Sequence, residues 1–136
     1  MANQLYPAGR NGFLTGSIHW GGASPDTFRV YLIDTADYTF STSHDYLNDV
    51  PSAARVAYAT LTNTSATDGV ADADDVTFTS VTGDQSEALI ICKWTGNEAT
   101  SNLIAYIDTA TGLPVTPNGG DITVTWDNGS NKIFKL

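Results

Sequence analysis

Hydrophobic and polar positions fall along this chain in runs of strand length. Phe28–Ile33 is almost continuously apolar or β-favouring and stops at Asp34. Ala54–Thr62 is a second such run, Glu87–Trp94 a third and Asn102–Ile107 a fourth. Val76–Val81 and Ile122–Trp126 instead alternate apolar residues with Thr, the period of a strand with one buried face. Asp127-Asn128-Gly129-Ser130-Asn131 supplies hairpin-turn chemistry, after which Lys132–Leu136 reads as the returning strand. Counting Thr15–Trp20, the pattern predicts eight strands, spaced as in an eight-stranded β-sandwich of jelly-roll type. Thr39–Pro51 is expected to be a loop with one helical turn or the crossover between sheets. Thr62–Asp75, rich in Ser, Thr, Asn, Asp and Gly, is expected to be an exposed loop. The core is expected to draw on Val30, Leu32, Val56, Phe78, Ile90, Ile104, Ile122, Val124 and Trp126.

The opening segment breaks this period. Pro7 suits a first helical position and Gly16 the left-handed residue after a helix end. Between them Tyr6, Gly9 and Phe13 share one face. A helix this short, carrying Gly9 and Gly12, is marginal alone and needs something to pack on. We therefore expect residues 1–22 to form a short helix or arm ahead of a single sandwich domain, 23–136. Leu5, Tyr6, Phe13, Leu14, Ile18 and Trp20 are its candidate interface with another subunit. The competing expectation is that the segment covers an open end of its own sandwich.

Composition supports the β reading. Charged residues make up only 15% of the 136, and of fifteen acids only Glu87 and Glu98 are Glu, a balance suited to turns rather than helix faces. The net charge of −9 opposes binding to nucleic acid or anionic membranes, and the six basic residues form no cluster in sequence. No run has the length of a membrane span. Cys92 is the single cysteine, so no intrachain disulfide forms. The first residues lack a basic region followed by an apolar run, so no secretory signal is expected.

Catalytic chemistry finds little purchase. Tyr31–Ala36 and Ala105–Ala110 both leave a strand through Asp-Thr-Ala, which brings to mind the paired aspartates of aspartic proteases at Asp34 and Asp108. The chain is too short for the two-lobed form, and an Asp ending a strand commonly bonds its own turn. Asp68, Asp72, Asp74 and Asp75 offer oxygens to Ca²⁺ but lack the glycine and terminal Glu of an EF-hand. His19 and His44 stand at no metal-ligand spacing. Glu87 and Glu98 make no convincing glycosidase pair. No catalytic residue, cofactor or metal site is expected.

The stretch Tyr6–Trp20 followed by Phe28–Asp34 resembles a family of small virion proteins of tailed bacteriophages and prophages. So do His44–Pro51 with Ala54–Ala57, Gly69–Phe78 and Gly119–Gly129, so the resemblance runs along nearly the whole chain. Members are labelled structural, some as tail-fibre proteins. The resemblance implies a non-enzymatic capsid cement or decoration protein on the outer surface of the virion, assembled in the host cytoplasm. Its implied partners are the major capsid protein and further copies of itself, as a dimer or trimer. A tail or tail-fibre component contacting the host and a carbohydrate-binding β-sandwich are the alternatives.

Overall fold

The computed structural model describes residues 3–136. The protein is all-β with one short helix. Strands β1 (Gln4–Leu5), β2 (Phe28–Ile33), β3 (Arg55–Thr60), β7 (Ala88–Lys93) and β8 (Leu103–Ile107) build a five-stranded antiparallel sheet in the order β1-β8-β7-β2-β3. β4 (Ser65–Thr67), β5 (Val70–Asp72) and β10 (Phe134–Lys135) form a three-stranded sheet, and β6 (Val76–Phe78) pairs with β9 (Ile122–Val124). The strands thus fall into antiparallel sheets of five, three and two, consistent with the expected all-β sandwich.

The large sheet is buried on both faces, which explains why β2 and β7 read as near-continuous apolar runs. On one face Val30, Leu32, Leu89, Ile91 and Ala105 pack against Ala71, Val76 and Phe78 of the smaller sheets and against Trp126, just beyond β9. On the other, Tyr31, Ile33, Ile90, Cys92 and Tyr106 lie beneath Tyr6 and the segment carrying Tyr38, Leu47, Val50 and Ala54. Of the expected core, Val30, Leu32, Phe78, Ile90, Ile104 and Trp126 are buried, while Val56, Ile122 and Val124 are half-buried. The 39–51 loop contains a single 3-10 turn, Leu47–Asp49, as anticipated.

Three expectations need correction. Thr15–Trp20 is no strand: helix α1 runs Pro7–Thr15, closed by Gly16 at φ 77°. Ile18 and Trp20 are buried around exposed His19, so the alternation is real. Its backbone is held instead by Asp26, whose N–H donates to the His19 carbonyl at 2.8 Å and whose carboxylate accepts the His19 N–H at 2.7 Å. Thr62–Asp75 contains the β4–β5 hairpin, turned through Asp68 (φ 53°) and Gly69 (φ 78°). Its exposed Ser65, Ala66 and Thr67 gave no hydrophobic alternation to read. Finally, Asp127–Asn131 turns the chain without making a hairpin, because β9 pairs with β6 and β10 with β5.

Of the expected arm or short helix, residues 1–22, the first two lie outside the described residues, and the rest packs on the large sheet. β1 joins the large sheet through Gln4↔Tyr106 and Leu5↔Ala105, and α1 lies directly on β8. The helix approaches so closely that a Cβ on Gly9 stands 2.7 Å from both Ile104 Cα and the Leu103 carbonyl oxygen. The glycines that weaken the helix in isolation are what let it dock.

Candidate functional site

The expected interface residues are mostly spent inside the molecule. Tyr6, Ile18 and Trp20 are buried, Leu5 and Phe13 half-buried, and only Leu14 is free, at 85% exposure. Trp20 stacks on Phe28 and Phe134, and its indole N–H donates to the Asp72 carbonyl at 3.0 Å. The segment therefore covers its own sandwich, with three of the six side chains buried there and two more partly so.

The aspartates of the two Asp-Thr-Ala repeats follow directly on the ends of β2 and β8. β2 and β8 run in the same direction with β7 between them, which sets their ends about 10 Å apart at two inter-strand spacings. Asp34 bonds its own turn, accepting the Ala36 N–H at 2.9 Å, while Glu87 at the start of β7 accepts both the N–H and hydroxyl of Thr35 at 2.9 Å. Asp34, Asp37 and Asp84 do converge, with carboxylate oxygens within 4.8 Å of one another. The acidic residues of the 68–75 stretch act singly. Asp75 accepts the Trp126 N–H at 2.8 Å, Asp74 accepts the Asn63 side-chain amide at 2.6 Å, and Asp72 faces Lys132 at 3.9 Å.

Among the described residues, two cavities bear on function. One, of about 610 Å³, is lined by Leu89, Ile107, Ile122, Val124 and Trp126, together with Asp127 and Lys132. The other, of about 480 Å³, is shallower and differs in chemistry: it contains Arg29, Tyr31, Arg55, Tyr58, Trp94 and Glu98.

This second site arises from strand alternation. Arg29 shares a face of β2 with Tyr31 and Ile33, and Tyr31 stands opposite Tyr58 on β3 with ring centroids 5.6 Å apart. Trp94 follows β7, held by its N–H to the Thr27 carbonyl at 2.8 Å. The 34–54 segment covers Tyr31 and Ile33 on this face but leaves the corner beyond them open.

In that corner the Arg29 guanidinium is clamped between two rings, 4.0 Å from the Tyr58 centroid and 3.8 Å from Trp94. Clamping spends both faces of the cation and little of its edge. Nη1 donates one long bond to the Tyr31 hydroxyl at 3.4 Å, and Nε is buried with no acceptor. A buried donor left unpaired costs about 1–3 kcal/mol. Among the described residues Arg29 has no carboxylate partner, whereas Arg55 pairs with Glu98 at 2.9 Å and Lys93 with Asp26 at 3.3 Å. The Arg55 bond holds the Glu98 carboxyl below its ordinary value. Burial raises the Tyr31 hydroxyl above its usual range, and the bond from Arg29 opposes that rise.

Sequence reasoning missed this site because its members lie on three strands far apart in the chain. The available signal was Arg29 itself, a cation inside an otherwise apolar strand.

No protein-family model matches the chain, and no curated protein matches it.

Proposed function

We propose that this protein is a non-enzymatic structural component of a tailed-bacteriophage virion, a cement or decoration protein bridging major capsid subunits from the outer surface. One observation carries the adhesive part of this reading: a corner of the large sheet left open to the surface holds Arg29, Tyr58 and Trp94 together. Arg, Tyr and Trp are the residues that dominate binding energy at protein interfaces. A charge of −9 favours the outer face of a DNA-filled shell over the inner one. The resemblance of the chain to small virion proteins supplies the particle. Quantitative mass spectrometry of purified virions tests the placement. A capsid cement is present in a number of copies on the order of hundreds, one or more for each symmetry element of the shell. A handful of copies would place it in the tail, and absence from the particle would overturn the reading.

A further inference from the structure

We propose that the Arg29–Tyr58–Trp94 slot is a carboxylate-binding site that takes an acidic segment of a partner protein. The inference rests on the slot being the adhesive face, and it names what that face recognises.

The chemistry follows from what Arg29 has left to give. A guanidinium carries five N–H donors in a planar fork matched to two carboxylate oxygens. Here the rings of Tyr58 and Trp94 hold the fork flat from both sides, so little side-chain freedom remains to be lost on binding. Among the described residues, one long hydrogen bond, to Tyr31, uses the fork. The unpaired Nε shows the same deficit from within. A neutral ligand leaves the charge uncompensated, whereas a carboxylate makes charge-assisted bonds roughly twice as strong as neutral ones.

Arg55 adds a second cation to the same cavity. Its bond to Glu98 links two side chains of unequal burial, since the Glu98 side chain is 47% exposed and that of Arg55 only 14%. Glu98 is thus an internal carboxylate seated where an incoming one can replace it. Two of the six basic residues of the chain meet in this cavity, against a surface of opposite sign elsewhere. A polyanion is repelled by the molecule as a whole, so any that binds reports on the local site.

The test is titration of the full chain with an acetylated, amidated hexaglutamate peptide, followed by calorimetry and by tryptophan fluorescence. Trp20 and Trp126 are buried, so half-buried Trp94 is the responsive fluorophore. The expected result is saturable binding of hexaglutamate and none of hexaglutamine. Arg29→Gln is expected to weaken it about ten-fold or more, and Lys135→Gln, remote on β10, to leave it within two-fold. Tyr58 is 53% exposed, so Tyr58→Ala preserves the fold while removing one wall of the slot. It is expected to weaken binding several-fold, and it decides the matter if Arg29→Gln does not fold. No saturable binding at millimolar peptide, equal binding by Tyr58→Ala and wild type, or displacement of the peptide by equimolar inorganic phosphate overturns the proposal. The peptide assay uses no virion, so its failure and a failure of the copy-number measurement are read separately.

Discussion

Replacing Gly9 with Ala separates two arguments that predict opposite signs. By helix propensity alone, Ala at an interior position of α1 stabilises the protein by roughly 0.5–1 kcal/mol. Docking says otherwise. The added Cβ falls 2.7 Å from Ile104 Cα and from the Leu103 carbonyl oxygen, and 3.3 Å from the Ile104 carbonyl oxygen. All three are backbone atoms of β8, which is paired on both sides by β1 and β7 and has no freedom to retreat. The helix must lift instead, disturbing buried Tyr6, whose N–H donates to the Ile104 carbonyl at 2.9 Å. With two backbone contacts at 2.7 Å the overpacking lies toward the upper end of its usual range, about 2–3 kcal/mol, leaving a net destabilisation of about 1–2 kcal/mol after the propensity gain. For a domain of this size that lowers the melting temperature by roughly 3–8 °C in a calorimetric scan. Asn11→Ala, at an exposed position of the same helix, is the control: it gains propensity without a clash and raises the melting temperature slightly. A Gly9→Ala protein that melts at or above wild type would refute the docking geometry.

The remaining predictions concern the core, pH and the thiol. Deleting residues 1–16 removes β1, α1 and buried Tyr6, so the truncated chain melts lower than wild type by circular dichroism; an unchanged melting temperature would restore the free-arm reading. Leu32→Ala, in the fully buried face of β2, costs about 2–5 kcal/mol by denaturant titration, whereas half-buried Val124→Ala costs about 1 kcal/mol. Asp49 accepts the N–H groups of Asp45 at 2.9 Å and Tyr46 at 3.3 Å, and the Asp45 N–H above all holds its carboxyl below the ordinary value. A depressed folded-state value stabilises above the unfolded one, so Asp49→Ala costs about 1 kcal/mol at neutral pH and the difference shrinks as pH falls below about 4. Burial pushes the Cys92 thiol up to about 12, so it stays inert to a thiol reagent at pH 8 until denaturant is added.

The large sheet was legible where its residues carry their own evidence. Phe28–Ile33 is β2 to the residue, and Pro7 and Gly16 mark α1 because each is suited to one backbone conformation. The pattern failed where burial and pairing part company. Ile18 and Trp20 alternate like a strand yet pack from irregular backbone, and β4 and β5 pair with little apolar content, announced only by Asp68-Gly69. Of the two expectations for the N-terminal segment, a contact with another subunit or a cover for its own sandwich, the packing of Tyr6, Ile18 and Trp20 favours the cover. Apolar density at Leu5–Trp20 and weak helical propensity both suggested a segment seeking a partner, but the partner is β8 of the same chain. Glycine was read as weakness when it permits close approach. The Arg29 slot depends on the register between β2, β3 and β7, which no local pattern discloses.

The central claim is that this domain adheres to a virion surface through the Arg29 corner and not through its N-terminal segment. The direct measurement is rebinding of purified protein to virions produced without it, quantified by particle-bound copies. Wild type and Leu14→Ser are predicted to saturate the particles equally, while Tyr58→Ala, folded as judged by its melting temperature, rebinds weakly. Failure of wild type to rebind, or loss of rebinding in Leu14→Ser with full rebinding by Tyr58→Ala, would contradict the account.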